Sequence, residues 1–284
     1  MKVKRRTVSV RLQVGVERTV PVDQGGSAVS ADRMIAKPIR NWCAHVLLQL
    51  SGICKRFASL TAVADVYLRV DQGEAVGIIG PNGAGKTTLF NVITGDLKPD
   101  AGEIKFREEP IGALDAAERC KLGLGRTYQI PHPFSGMTVY ENVIVGAAFG
   151  SGLSEAEGSA IAIEAMERTG LDSKANVLAG TLALLDRKRL ELARALATRP
   201  QLLLLDEIAG GLTDHEVNDL IQVINALRKE GVAIIWIEHI THALIAVVDR
   251  LVAMNFGKVL IDGAPNAVMD SRDVREIYLG ISGE

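Results

Sequence analysis

The segment Gly80–Thr87, with the sequence GPNGAGKT, stands between an apolar run and an amphipathic run. The apolar run, Glu74–Ile79, predicts a buried strand. The amphipathic run predicts a helix from Lys86 to about Thr94, which Gly95 ends in a left-handed conformation. Strand, glycine-rich loop and helix in this order match the full phosphate-loop pattern. The pattern favours an α/β fold over a plain glycine turn.

This phosphate loop contains the residue types that binding of a nucleoside triphosphate needs. Glycines let backbone N–H groups wrap around phosphate oxygens without interference from a Cβ atom. Lys86 is expected to reach the β- and γ-phosphate oxygens, and Thr87 to bind Mg²⁺. The loop therefore predicts ATP and Mg²⁺ as cofactors. The expected nucleotide contacts are Gly80, Asn82, Gly83, Ala84, Gly85, Lys86, Thr87 and Thr88.

A second segment, Leu202–Glu207, has four leucines followed by two acidic residues. The leucines suit a central parallel strand that is covered on both faces. Adjacent carboxylates repel one another unless a cation or a proton offsets the charge, so this pair favours a metal. We expect Asp206 to hold the metal through a bound water and Glu207 to act as general base on the attacking water. Alone, such a strand end is often a solvated turn.

The remaining pattern predicts how the chain is organised between and around these segments. Val46–Leu50 and Ala64–Val70 have strand character, whereas residues 113–196 are largely helical. Thr213 and Glu216 form a capping box that begins a helix. We therefore expect a RecA-like P-loop NTPase parallel sheet in a domain over residues 46–281. An N-terminal antiparallel strand region and a helical lobe inserted at about 113–196 complete this domain.

The start of the chain differs in composition from the rest. Residues 1–40 carry nine Lys and Arg against three Asp and Glu, a net charge of +6, whereas the whole chain carries −2. Val8–Val16 alternates as a strand does, but Gly25–Gly26 is typical of a linker. We expect residues 1–45 to form a poorly ordered basic extension. An arm that packs or binds something remains the alternative.

Two further observations bear on location. No apolar run approaches the roughly 18 residues that cross a bilayer, and no apolar segment of secretory-signal type follows the basic N-terminus. The three cysteines, Cys43, Cys54 and Cys120, are an odd set without metal-ligand spacing, which favours reduced thiols in the cytosol.

Taken in order, the motifs resemble those of ABC-transporter ATPases across about Val46–Gly280. The phosphate loop is followed by Gln129 in RTYQI, by ELARAL at Glu191–Leu196, by LLLLDE, and by His239 in IEHI. The resemblance implies that Gln129 contacts Mg²⁺ and the attacking water and senses membrane subunits. It implies that His239 touches the γ-phosphate. A surface amide and a helix-capping imidazole are the alternatives for these two residues.

Within that family the chain is most similar to ATPase subunits of branched-chain amino acid importers, in KRFASLTAV, GPNGAGKTTLFNVITG, RTYQIPHPFSGMTVYENV and NFGKVLIDG. Phe57 stands where the family has an aromatic under the adenine, although a core role is the alternative. The resemblance implies an importer of branched-chain or related amino acids or amides. It also implies integral-membrane permease subunits, a second ABC ATPase subunit and an extracytoplasmic substrate-binding protein. The chain would lie peripherally at the cytoplasmic face of the membrane.

The chain departs from the family pattern in the segment that we call the signature segment, Leu182–Asp186. The family has LSGGQ there, so the serine hydroxyl and both glycines are missing. Ile208 replaces the usual proline after the glutamate, and Thr213 replaces the usual aspartate. These departures put hydrolysis across a dimer in question.

Two other functions remain open from the sequence. A non-transport ABC ATPase acting on nucleic acid or ribosomes is supported by the basic arm alone, and the net charge of −2 makes nucleic acid an unfavoured partner. A module that uses ATP as a structural switch without turnover would explain the altered signature segment.

Overall fold

The computed structural model describes residues 6–11, 17–22, 46–150 and 155–279. The strands are β1 Arg6–Arg11, β2 Glu17–Val22, β3 Val46–Phe57, β4 Leu60–Asp71, β5 Ala75–Ile79, β6 Ala101–Phe106, β7 Glu109–Pro110, β8 Leu124–Arg126, β9 Leu202–Asp206, β10 Ala233–Ile237, β11 Arg250–Asn255 and β12 Lys258–Gly263. The α-helices are α1 Lys86–Thr94, α2 Ala116–Leu122, α3 Val139–Val145, α4 Glu155–Thr169, α5 Leu184–Ala197, α6 Asp214–Lys229, α7 Thr241–Ile245, α8 Pro265–Asp270 and α9 Arg272–Leu279.

The central sheet has the order β12-β11-β5-β10-β9-β8 among the described strands. Its strands run parallel from β11 to β8, and β12 pairs antiparallel with β11. Parallel strands end at the same edge of a sheet, so the register Ile237 to Asp206 and Ile237 to Ile78 places their carboxyl ends side by side. The phosphate loop and the acidic pair therefore emerge next to each other. This agrees with the expected parallel sheet.

Both faces of this sheet are covered by packed apolar residues. Successive side chains of a strand point to opposite faces, so one strand contributes to both cores. Leu203, Leu205 and Trp236 belong to the hydrophobic cluster that contains the helical lobe. Leu202 and Leu204 belong to the cluster that contains α1 and the antiparallel sheet. The run of four leucines thus fills two cores at once, as expected for a central parallel strand.

A second sheet, of order β4-β3-β6-β7, is antiparallel and corresponds to the expected N-terminal strand region. Its strands β3 and β4 are each 12 residues long, whereas the sequence predicted only Val46–Leu50 and Ala64–Val70. The register between them shifts four times. Each shift interrupts the alternation of apolar and polar residues, which explains why the pattern revealed only part of each strand.

Helix boundaries follow the local chemistry closely. The helix after the phosphate loop ends at Thr94, and Gly95 has φ 88°. The capping box of Thr213 and Glu216 is present, with Glu216 N donating to Thr213 Oγ1 over 3.4 Å. Helix α4, Glu155–Thr169, lies in the region 113–196 that was expected to be largely helical. The helix that follows His239 is short, Thr241–Ile245.

The region expected to be a helical lobe, residues 113–196, contains one element of a different kind. Strand β8 pairs in parallel with β9 and so belongs to the central sheet. With three residues it is too short to show a period of two, so the sequence pattern did not reveal it. The helices that pack together as the lobe are α3, α4 and α5.

The N-terminal strands β1 and β2 pair antiparallel from Arg6 with Val22 to Arg11 with Glu17 and form a sheet of their own. Of the predicted strand Val8–Val16, residues 8–11 lie in β1. Residues 12–16 and 23–45, including Gly25–Gly26 and Cys43, lie outside the described residues. Across the described parts of the chain, every helix is too short or too polar to cross a membrane.

Candidate functional site

The phosphate loop is shaped by backbone contacts that only glycine allows. A Cβ atom at Gly85 would lie 2.2 Å from the carbonyl oxygen of Ala62, and one at Gly80 would lie 2.3 Å from that of Met254. Gly85 also has φ 97° and precedes α1 without any side-chain cap. The first N–H groups of a helix have no partner within it, and they attract anions. The loop therefore offers backbone donors at the positive end of α1.

Lys86 lies over this loop and is only 6% exposed. Its Nζ donates to the carbonyl oxygens of Gly80 at 2.6 Å and Pro81 at 3.1 Å. Burial lowers the pKa of Lys86, whereas Glu207 and Asp206 oppose that shift. The lysine is thus a buried ammonium group that faces two carboxylates, where it can contribute charge to a bound phosphate.

A cavity of about 680 Å³ lies above the loop and collects residues from across the chain. It is lined by residues that the sequence predicted to bind nucleotide together with residues that it predicted to be catalytic. These are Phe57, Asn82, Gly83, Ala84, Gly85, Lys86, Thr87, Thr88, Gln129, Glu207 and His239. Of the predicted residues, Gly80 and Asp206 do not line the cavity. They lie beneath it, at the ends of β5 and β9.

Glu207 lines this cavity and contacts two other residues that the sequence predicted to be catalytic. Its Oε2 accepts a hydrogen bond from Gln129 Nε2, and its Oε1 lies 2.8 Å from His239 Nε2. The backbone of Glu207 has φ 47°, and its N–H donates to Ile237 O over 2.8 Å. A left-handed conformation costs a non-glycine residue roughly 1–2 kcal/mol. The fold therefore maintains an unfavourable backbone conformation where Glu207 meets the glutamine and the histidine.

Asp206 has a different environment from its neighbour and is 2% exposed. Its Oδ2 accepts a hydrogen bond from Arg126 Nη2 at 3.1 Å. Burial raises the pKa of Asp206, and Arg126 opposes that shift. The other oxygen, Oδ1, is buried and has no hydrogen-bond partner among the described residues. A buried acceptor without a partner is costly, and carboxylate oxygen is a ligand that Mg²⁺ prefers. The donor set therefore fits a magnesium ion.

Phe57 is 44% exposed and lines the cavity, so it is not a core residue. Lys55 Nζ lies 5.9 Å from the centre of its ring. Phe256, at the turn between β11 and β12, is 84% exposed and lines the same cavity. An isolated phenylalanine at a turn gives no sequence signal for a site, and the sequence reasoning did not identify it.

Two buried charged residues that the sequence did not single out form hydrogen bonds with Glu207 or with the segments beside it. Glu238 is 1% exposed, and its carboxylate accepts the N–H groups of Ala209 and His239, each at 2.9 Å. It therefore joins the segment after Glu207 to the segment that contains His239. Lys188 Nζ donates to Glu207 O over 3.3 Å. Glu238 precedes His239 in the IEHI motif, which was its only signal.

The signature segment begins α5 without the usual donors. Ala183 is the N-cap and makes no side-chain hydrogen bond, and Asp186 lies in the first turn. The carboxylate of Asp186 is paired with Lys174. The side chain of Leu184 is exposed. The structure therefore presents an alanine, two leucines and an acid where the family has a hydroxyl and two glycines.

Comparison with known proteins supports the resemblance on several counts. The model of the ABC transporter family matches residues 63–210. The branched-chain amino acid transport ATP-binding protein BraF of Pseudomonas aeruginosa is 39% identical, over 82% of this chain and 98% of that protein. LivG of Escherichia coli, described in the same terms, is 37% identical over the same shares.

Solved structures agree in fold. A nucleotide-free ATP-binding cassette from an ABC transporter superposes with a TM-score of 0.76 at 30% identity, over 84% of this chain and 100% of that one. That cassette shares the α/β architecture of this chain. The sequence similarity to BraF and the structural similarity to the cassette each extend over more than four-fifths of this chain. The chain belongs to the ABC transporter family, as an ATP-binding ATPase subunit.

Proposed function

We propose that this chain is the Mg²⁺-dependent ATPase subunit of an importer for branched-chain or related amino acids or amides. The observation that carries the proposal is the meeting of Gln129, Glu207 and His239 above the phosphate loop, in one cavity. BraF and LivG, whose names state branched-chain amino acid transport, support the choice of solute class.

In this proposal the nucleotide lies along the cavity from Phe57 to Glu207. The adenine packs on the half-exposed ring of Phe57, because a flat apolar face suits a base. The phosphates lie on the N–H groups before α1, and Lys86 leaves its two carbonyl partners to bind the β/γ oxygens. Thr87, Gln129 and Asp206 would hold Mg²⁺, which supplies positive charge against the phosphate oxygens.

Hydrolysis then depends on Glu207 as the general base. Its carboxylate accepts the proton of the attacking water, and its position is set by hydrogen bonds to Gln129 and His239. His239 donates from Nε2 toward the γ-phosphate once Glu207 turns to the water. The surrounding fold holds the backbone of Glu207 in its left-handed conformation, so that only the side chain turns to the water.

A second ABC ATPase subunit is proposed to close the cavity. Phe57 and Phe256 leave large apolar areas exposed at its rim, and such areas are favourable to cover. Closure would exclude water and bring the partner's signature segment to the γ-phosphate. The chain's own signature segment would then serve the partner's nucleotide.

Permease subunits are proposed to dock beside Gln129. The exposed apolar side chains Tyr128, Ile130 and Phe134 lie on the segment that follows β8. A contact there would connect the membrane subunits to the glutamine that touches Glu207. The chain would lie peripherally at the cytoplasmic face, and an extracytoplasmic binding protein would select the solute.

The test is to produce the chain with its candidate permeases and a second ATPase subunit in membrane vesicles. ATP-dependent uptake of labelled leucine, valine or isoleucine, in the presence of the binding protein, is the expected result. A Lys86→Ala complex is the control and should be inactive. Recovery of RNA or ribosomes in place of permeases during purification would contradict the proposal.

A further inference from the structure

Arg126 is a buried guanidinium group at the end of β8 whose side chain is 7% exposed. Its Nη1 donates to Asn91 Oδ1 at 2.6 Å and to Asp96 Oδ2 at 2.9 Å, both at the end of α1. Its Nη2 donates to Asp206 Oδ2 at 3.1 Å. One side chain therefore connects the helix of the phosphate loop to the strand that ends in the acidic pair.

Aromatic rings fix the plane of this group. The centre of the Phe90 ring lies 5.8 Å from the guanidinium carbon, and that of the Tyr128 ring lies 4.7 Å from it. A planar guanidinium stacks on aromatic faces and directs several N–H groups at fixed angles, which an ammonium group cannot do. Tyr128 precedes Gln129 in the chain, so the stacking also connects Arg126 to the glutamine segment.

The hydrogen bond from Arg126 makes the two carboxylate oxygens of Asp206 unlike each other. Oδ2 is occupied by the guanidinium, whereas Oδ1 is buried without a partner among the described residues. This hydrogen bond restricts rotation of the carboxylate and so favours one orientation of Oδ1.

We propose that Arg126 is a positioning residue for magnesium: it holds Asp206 so that Oδ1 faces the metal bound with the nucleotide. The inference rests on the proposed function, since it concerns the same site. Groups that orient a metal ligand typically contribute about 10- to 100-fold to metal affinity. Arg126 does not line the nucleotide cavity. Its replacement should therefore change the affinity for Mg²⁺ and leave the affinity for metal-free ATP nearly unchanged.

The chain provides a matched control in Arg119. This arginine is 0% exposed, and it donates to backbone oxygens, among them those of Val92 at 2.7 Å and Ile93 at 2.8 Å. It contacts the same helix, α1, as Arg126 does. Replacing it should lower stability without any direct effect on Asp206.

The experiment compares Arg126→Met, Arg126→Lys and Arg119→Met in the full chain. A fluorescent ATP analogue reports binding in EDTA and along a Mg²⁺ titration, and the melting temperature is measured for each variant. In Arg126→Met we expect binding in EDTA to stay within about twofold, and the Mg²⁺ concentration that half-saturates the complex to rise about 10- to 100-fold. Arg126→Lys should recover part of that loss, and Arg119→Met should melt earlier with an unchanged Mg²⁺ requirement.

An unchanged Mg²⁺ requirement in Arg126→Met, or an equal rise in Arg119→Met, would overturn the inference. If Arg126→Met does not fold, the Arg126→Lys variant alone tests the proposal. Lysine keeps the positive charge but lacks the planar guanidinium with its several N–H donors. A wild-type Mg²⁺ requirement in Arg126→Lys would then contradict the proposal. Absence of nucleotide binding by the wild-type chain would overturn the proposed function itself. The two failures are therefore distinguishable.

Discussion

Two helices of this protein begin where members of its family bind nucleotide, and their N-termini differ. Helix α1 follows Gly85, has no acidic residue in its first turn and carries Lys86. Helix α5 follows Ala183, has Asp186 in its first turn and carries exposed Leu184. The N-terminus of a helix is its positive end, so it attracts phosphate unless a carboxylate already lies there. The first turn of α1 therefore suits a phosphate, whereas the first turn of α5 holds a carboxylate that is paired with Lys174.

The difference separates what the subunit does with its own nucleotide from what it offers to a partner. Most of the residues that we propose to bind and hydrolyse its own ATP line one cavity. The signature segment, which would complete the partner's site, is altered. If the partner is a different subunit with an intact signature segment, we expect one intact site and one weakened site. A homodimer would weaken both sites alike.

The largest expected effect comes from removing the cation of the first helix. Lys86→Ala should lose both nucleotide binding and turnover, because water cannot replace a point charge on the β/γ oxygens. Equilibrium binding of a fluorescent ATP analogue and phosphate release measure the two effects. Lys105→Ala, which removes a surface ion pair with Glu103, is the control and should change neither. Undiminished turnover in Lys86→Ala would contradict the assignment of the ATP site to the phosphate loop.

Glu207→Gln should leave nucleotide binding intact and lower turnover by roughly 10²–10⁴. The amide can still hydrogen-bond to its neighbours, but it cannot accept the proton of the attacking water. Single-turnover hydrolysis separates an effect on the chemical step from an effect on ATP binding. Gel filtration with ATP should show a dimer that persists. Normal single-turnover hydrolysis would mean that Glu207 is not the base.

Restoring the second helix should raise activity and so sharpen the comparison. The triple change Ala183→Ser, Leu184→Gly and Leu185→Gly returns the missing hydroxyl and glycines to the start of α5. Because loss of one such donor typically costs about 10²–10³ in rate, phosphate release by the isolated chain should increase by on the order of 10². Leu184→Ala, which removes the exposed side chain and adds no donor, is the control.

The nucleotide affinity of the restored chain should stay close to that of the wild type, since its own cavity is untouched. The wild-type chain alone should be a poor ATPase that an added partner subunit stimulates strongly. In the heterodimer, Glu207→Gln in this chain should cost more than the same change in the partner. Full activity of the isolated wild-type chain, or equal losses from the two substitutions, would contradict the asymmetric model.

The smallest effect concerns residues 1–40, which we propose to be an extension separate from the domain at 46–281. Their deletion should leave nucleotide affinity and melting temperature nearly unchanged, because β1 and β2 pair with each other in a sheet of their own. Calorimetry and the binding assay check this. A fall of many degrees would show that this segment packs against the domain.

Local chemistry was sufficient to predict the parts of the site that one stretch of sequence specifies. The phosphate loop, the helix that ends at Gly95 and the capping box at Thr213 each depend on residues within about eight positions of one another. The four leucines of β9 likewise indicated a strand covered on both faces. Such features depend on backbone geometry and on the period of apolar residues, which a linear pattern records. The residues Gln129 and His239 came from the ordered resemblance to a family.

Contacts between distant segments needed the fold. Arg126, Glu238 and Phe256 reach the site from β8, from the end of β10 and from the turn before β12, and none has a spacing that marks it. The alternation in β3 and β4 was hidden by register shifts, and β8 was too short to show a period. Burial is what makes these residues informative: a charge costs far more inside a protein than in water unless it has a partner. The sequence names the charge, but only the folded chain shows what lies beside it.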